Sequence, residues 1–198
     1  MKELQTLNLL IDSFSKLPGV GAKSAERMAY AVLNMRLEDA EQFSNAIIDA
    51  ATKIHKCPEC GLYAEDDLCE ICRDPKRDHN TICVVSEAKD VISIEKMNSY
   101  NGLFHVLGGT LNASKGIGAD SLNINKLLER ITSNNVKEVI IATNPTLDGE
   151  TTALFLAKVL ERYDVEVTRL GFGLAMGSNL EYVDSLTMSK AFEGRRKI

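Results

Sequence analysis

Apolar residues recur at helical spacing from the start of the chain, first at Leu4, Leu7, Leu10, Ile11, Phe14 and Leu17, then at Ala22, Ala25, Met28, Ala29, Val32 and Leu33. The pattern predicts two helices separated by the short break Pro18-Gly19-Val20-Gly21. A third helix is expected over 38–54, with Ala40, Phe43, Ile47, Ile48 and Ala51 on one face that closes a small helical domain. Residues 53–78 lose this periodicity and gain cysteine, proline and charge, which marks a separate small module. From Thr81 onward strands at 82–85, 103–107, 138–142 and 165–170 alternate with helices at 88–97, 123–131 and 150–163. Such alternation predicts a mostly parallel sheet covered on both faces. The tail from Asn179 holds one short helix over 187–192 and ends in Arg195-Arg196-Lys197. The expected fold is α+β and multi-modular: a helical domain over 1–53, a cysteine module over 54–79, an α/β domain over 80–175 and a helical tail over 176–198.

The break between the first two helices carries the densest chemistry. Pro18 stops the first helix, while Gly19 and Gly21 permit positive φ and leave no Cβ between the turn and whatever lies against it. Main-chain N–H groups of Gly19, Val20 and Gly21 become the surface, and the unpaired amides of the second helix point the same way. Lys23 stands in the first turn of that helix and Arg27 one turn on. This arrangement can grip phosphates without reading bases. The alternative is a plain connector, since glycine-rich turns between helices are common.

Cys57-Pro58-Glu59-Cys60 and Cys69-Glu70-Ile71-Cys72 are two C-x-x-C pairs separated by eight residues, with Gly61 easing the first turn. Four thiolates suit one tetrahedral structural zinc ion per chain and leave no open position for a substrate. Disulfides are the competing reading, disfavoured in a reducing cytoplasm; a redox dithiol needs only one pair, and iron in the same cage is a minor alternative. Cys83 falls in an apolar strand and reads as a buried small residue. His55 and His79 flank the module and stay unassigned, because four cysteines already complete the set.

Acidic residues follow two of the strands. Glu87 lies just past the strand at 82–85 with Asp90 three residues on, and Asp148 and Glu150 follow the strand at 138–142. Open α/β sheets place ligands at these carboxyl ends, and acidic sites on neighbouring strands could share a magnesium ion. The plainer reading of Asp148 and Glu150 is that they favour the start of the next helix, by roughly a few tenths of a kcal/mol each. Gly108, Gly109, Gly116 and Gly118 fit neither phosphate-loop pattern and read as turn formers.

Composition narrows the choice of partners. With 198 residues, 44% of them hydrophobic, the chain can build a real core as one large domain or two to three small ones. No apolar run approaches the roughly 20 residues that span a bilayer, and residues 1–10 lack a basic start before a continuous apolar block, so no membrane association and a cytoplasmic location are expected. The net charge of −5 means that a polyanion has to be met by local positive charge. Residues 1–36 supply Lys2, Lys16, Lys23, Arg27 and Arg36 against Glu3, Asp12 and Glu26, a net of +2. So modest a patch suits a protein that repeats its site in an oligomer.

The run Leu17-Pro18-Gly19-Val20-Gly21, followed by Lys23-Ser24-Ala25 and Arg27, resembles the helix-hairpin-helix of the RecR family of bacterial recombination mediators. The stretches 105–109, 116–118, 142–146 and 148–153 are similar to the same family. The order of hairpin, cysteine module, toprim domain and tail covers essentially the whole chain and is more specific than any one motif. The resemblance implies a four-cysteine zinc finger, a toprim domain and a C-terminal oligomerisation tail. It also implies a non-enzymatic mediator that binds single- and double-stranded DNA and gapped junctions. Such a protein acts with RecO and RecF to load the recombinase RecA onto gaps coated by single-strand-binding protein, as a dimer or a ring-shaped tetramer in the nucleoid. Catalytic toprim domains join a Glu after the first strand to an Asp-x-Asp after a later one. Here Asn144-Pro145-Thr146 stands at that place, and amide and hydroxyl side chains lack the charge that holds a catalytic metal. The departure marks the site as non-catalytic, and the resemblance implies an acidic surface for docking RecO, which Glu87, Asp90, Asp148 and Glu150 could provide, with magnesium optional rather than required. Two alternatives stay open: a magnesium-dependent toprim nuclease or primase with Glu87, Asp148 and Glu150 as ligands, and a protein adaptor whose hairpin only packs helices.

Overall fold

The computed structural model describes residues 4–171, 173–175 and 177–195; Lys2 and Glu3 of the N-terminal charge patch, and Arg196 and Lys197 of the tail, lie outside the described residues. The chain divides after Ile54 into two compact units. In the first, α1 (Gln5–Ser15), α2 (Ala22–Leu33) and α3 (Leu37–Lys53) follow the apolar periodicity. Ala25 and Ala29, one turn apart on α2, are fully buried, and their small side chains let α1 and α2 approach closely. The expected packing of α3 is not found. Phe43, Ile47 and Ile48 are 43%, 55% and 55% exposed, and α3 buries no residue. Periodicity reports that a face is apolar, not which molecule covers it.

The second unit opens with a two-stranded antiparallel ribbon, β1 (His55–Lys56) and β2 (Tyr63–Ala64), and the one-turn helix α4 (Glu70–Arg73), elements too short for periodicity to announce. Then follow β3 (Asp78–Val85), α5 (Ala88–Glu95), β4 (Gly102–Val106), α6 (Ile124–Ser133), β5 (Glu138–Ile141), α7 (Leu147–Leu160) and β6 (Glu166–Arg169), with α8 (Ser185–Glu193) in the tail. The main sheet is wholly parallel, in the order β4-β3-β5-β6. Its first crossover steps outward from β3 and the later ones step the other way, so right-handed connections put α5 on one face and α6 and α7 on the other. Ile82, Val84, Phe104 and Val139 of the sheet are fully buried with Leu127 of α6 and Leu156 and Leu160 of α7. Among the described residues no helix is long and apolar enough to cross a membrane.

The cysteine module packs directly on the sheet: Cys57, Cys60, Cys69 and Ile71 share one buried cluster with it, and the Cys60 carbonyl accepts the Val106 N–H of β4 at 2.7 Å. Since β4 is an edge strand, this bond and the one from Arg130 Nη1 to the Phe104 carbonyl, 2.8 Å, cover groups that an open edge offers to other chains. Composition changes at 53–78 because ligands and charge enter, while the core continues. One expectation is corrected here: α7 starts at Leu147 rather than Glu150. Thr146 caps it, its hydroxyl accepting the Gly149 N–H at 3.2 Å. A Cβ at Gly149 would run into the Asn144 carbonyl oxygen, so a helix-weakening residue sits inside the helix because only glycine lets loop 143–146 close against it.

Candidate nucleic-acid interface and metal centre

Beyond the end of α1, Leu17-Pro18-Gly19-Val20 forms a tight turn closed by the Val20 N–H on the Leu17 carbonyl at 3.1 Å. Proline second and glycine third, with a φ of 79° at Gly19, make it a type II turn. Gly21 does not take the positive φ expected of it; as N-cap of α2 it is extended, at φ −80°. Nothing lies within 4 Å of where a Cβ would stand on either glycine. Neither backbone geometry nor internal space therefore calls for glycine at 21, and the bare surface faces outward. The N–H groups of Gly19, Gly21, Ala22 and Lys23 meet no acceptor among the described residues, as the start of a helix dictates for the last two. Lys23 and Arg27 are exposed and make no ion pair among the described residues, and Val20 is half-buried.

In the second unit the Sγ atoms of Cys57, Cys60, Cys69 and Cys72 lie within 4.8 Å of one another, the only such set of three or more metal-ligating side chains among the described residues. The turn between β1 and β2 presents the first pair, held by the Cys57 N–H on the Leu62 carbonyl (2.6 Å) and the Gly61 N–H on the Cys57 carbonyl (2.9 Å). Cys69 and Cys72 arrive on α4. The Leu62 and Cys72 N–H groups donate to Cys60 Sγ at 3.5 Å and Cys69 Sγ at 3.4 Å, which favours thiolates. Around zinc with Zn–S of about 2.3 Å, a regular tetrahedron has sulfur–sulfur edges of about 3.8 Å. Cys60 and Cys69 Sγ stand 3.5 Å apart. Hydrogen bonds from Cys60 and Cys72 pull the Cys69 thiol well below its usual range, while Cys60 and Cys72, as donors, are raised. Four sulfurs brought this close together, with no open position among them, make a structural zinc site. Cys83, on β3, is pushed up to about 12 by burial alone and stays apart from this set.

The four carboxylates expected at the strand ends stand at one end of the sheet, β3 and β5 being neighbours, but each has its own partner. The Glu87 N–H donates to Asp90 Oδ2 at 2.9 Å, which caps α5, and the Glu87 carboxylate pairs with Lys89 at 2.6 Å. Asp148 Oδ2 accepts from Asn112 Nδ2 at 2.6 Å. Glu150 pairs with Arg169, whose guanidinium also donates to Thr143 Oγ1 at 2.8 Å and to the Ile141 carbonyl at 3.2 Å.

Sequence reasoning missed His105 and Arg130. His105 is fully buried on β4, with Nε2 2.6 Å from the Asn123 carbonyl and Nδ1 3.2 Å from Arg130 Nη1. A neutral ring protonated at Nε2 satisfies both contacts, donating to Asn123 and accepting from Arg130. Glu59, between the first two cysteines, is 3.8 Å from Arg130 Nε and ties this pair to the metal centre. The only sequence signal was a single ionisable residue inside an apolar strand. Burial, with the nearby Arg130 and Lys126 charges adding to it, pushes His105 down to about 4. The unfolded chain thus binds a proton that the folded one refuses. Stability from this source is full above about pH 6.5 and is lost as pH falls toward 4. From about pH 7 to about pH 5, wild-type stability should drop by about 2 kcal/mol more than that of His105→Gln, read from urea melts.

Known families align with this layout in chain order. The RecR helix-hairpin-helix model matches residues 7–51, the RecR four-cysteine zinc finger domain 54–74, a Toprim domain 80–171 and the RecR C-terminal model 173–196. They fall in turn on the hairpin, the cysteine centre, the parallel sheet and the tail. With turn, metal ligands and sheet order all in place, the chain belongs to the RecR family of DNA-binding recombination and repair proteins.

Proposed function

We propose that the protein is a non-enzymatic mediator of recombinational repair that acts with RecO and RecF to load RecA onto single-stranded gaps coated by single-strand-binding protein. The observation that carries this reading is the outward-facing turn at Gly19, Val20 and Gly21: the Val20 N–H closes the turn itself, and the free N–H groups of Gly19, Gly21, Ala22 and Lys23 stand beside the Lys23 and Arg27 side chains, two cations without an ion pair among the described residues. Phosphates would be held there by N–H groups and by charge, with no base read. Log affinity should then fall with log salt by roughly 0.9 per duplex contact or 0.7 per single-strand contact. Lys23→Ala and Arg27→Ala should each weaken binding and flatten that slope by about one contact in fluorescence-anisotropy titrations at several salt concentrations. An unchanged slope and affinity would place the DNA elsewhere.

The reading assigns DNA binding to 1–53, a zinc-stiffened connection to 54–79, the toprim domain to 80–175 and oligomerisation to 176–198. Self-assembly into a dimer or tetrameric ring would multiply a weak site through effective concentration. In support, the α3 stripe and, in the tail, Leu180, Tyr182, Leu186 and Phe192 are apolar surfaces left uncovered by the single chain. Glu87, Asp90, Asp148 and Glu150 form the docking surface for RecO, with magnesium optional. What supports a non-catalytic sheet end is that Asn144 and Thr146 stand where acidic ligands are required and Arg169 already neutralises Glu150. The protein would work in the cytoplasm, at the nucleoid.

A further inference from the structure

On the second unit a cleft of about 790 Å³ opens beside the cysteine centre, within the size of small-molecule sites, about 300–1,000 Å³. Its walls come from the β1–β2 ribbon, the carboxyl end of β4, and the starts of α5 and α6. Lys56, Lys89 and Lys126 line it against one carboxylate, Glu87, in a chain whose net charge is −5. Lys89 pairs with Glu87 and Lys126 with Glu129, exposed contacts for which a phosphate competes well; Lys56 makes no ion pair among the described residues. Lys56 and Tyr63 are register partners across the ribbon, so their side chains leave the same face side by side, and both reach the cleft. Tyr63 is 62% exposed and stacks on no other ring among the described residues. A large aromatic ring beside an unpaired ammonium contributes little burial to the fold and is suited to a ligand that is both flat and anionic.

We infer that this cleft holds one nucleotide of a single DNA strand, a base stacking on Tyr63 while the flanking phosphates meet Lys56, Lys89 and Lys126. A cationic groove joined to an aromatic platform is how single strands are held without sequence preference, because every base has a π-face. The site rests on the DNA-binding reading above and adds to it a second contact, one that tells an unpaired strand from a duplex.

The test uses the zinc-loaded full chain, fluorescein-labelled oligothymidylate, a blunt duplex of equal length, and thymidine monophosphate as competitor. Tyr63→Ala should weaken oligothymidylate binding about tenfold and leave duplex binding unchanged, and Tyr63→Phe should retain wild-type affinity. Replacing Lys56, Lys89 and Lys126 together by alanine should lower the single-strand salt slope by about 2. Equal zinc content in every variant verifies that the ribbon is intact. Wild-type affinity in Tyr63→Ala, alongside a loss in Lys23→Ala, would overturn the cleft and keep the hairpin. Equal losses for duplex and single strand in Tyr63→Ala would also overturn it, since a paired base cannot stack there. Monophosphate that binds the cleft without displacing oligothymidylate would make it a mononucleotide site and overturn the strand. If the wild type bound neither DNA, the hairpin and the cleft would fall together.

Discussion

Chelating the metal from Cys57, Cys60, Cys69 and Cys72 should lower the melting temperature of the second unit by at least about 10 °C. Three of these cysteines share one buried cluster with β3 and β4, and the Cys60 carbonyl holds the outer edge of β4 through Val106. Structural zinc binds isolated fingers with roughly 10–16 kcal/mol, comparable with the roughly 5–15 kcal/mol that stabilises a whole domain. Losing even about 5 kcal/mol of that, at about 2–4 °C per kcal/mol for a protein of this size, gives the predicted shift. Circular dichroism melts before chelation, after it and after zinc is restored would measure it. Cys60→Ser should behave like the chelated protein, whereas Cys83→Ser should keep one zinc per chain because Cys83 lies outside the set. A melt unmoved once the zinc has gone would mean that packing alone holds the ribbon to the sheet.

Gly149→Ala should be the most damaging of the glycine replacements near the strand ends, and here local and tertiary arguments differ in sign. Helix propensity alone predicts that alanine inside α7 stabilises by about 1 kcal/mol. The structure predicts a loss of about 3 kcal/mol, or about 6–12 °C, because the new Cβ meets main chain at Asn144 that no rotamer can move aside. The same shift would break the bond from Thr143 Oγ1 to the Gly149 carbonyl, 2.8 Å, and pull Glu150 from Arg169. Thr146→Ala, which removes only the cap, should cost about 1 kcal/mol. Thermal melts of the two variants side by side decide the matter, and a Gly149→Ala protein more stable than wild type would refute the steric reading.

How legible each part was follows from the range of the interactions that make it. The hairpin could be read because proline, glycine and the helix start act on their immediate neighbours, and the four cysteines because two short turns bring each pair together. Gly21 looked like Gly19 in the sequence, yet its φ depends on its place as N-cap of α2, one step past the turn. The edge of β4 could not be read at all. His105 and Arg130 lie 25 residues apart and meet only when α6 packs on β4, and Glu59 joins them only because the ribbon sits on the same edge.

By itself the sequence determined the order of the longer helices and strands, the metal ligands and the glycine turn between the first two helices, since periodicity, turn chemistry and ligand spacing act within a few residues. Only the tertiary structure decided that the zinc ribbon seals the edge of the sheet, that the strand-end carboxylates are each ion-paired or hydrogen-bonded, that α3 is left bare, and that Lys56 and Tyr63 share a cleft with Lys89 and Lys126. Burial and ion pairing are set by which distant segments come within a few ångströms of each other, and no local pattern of residues encodes that distance.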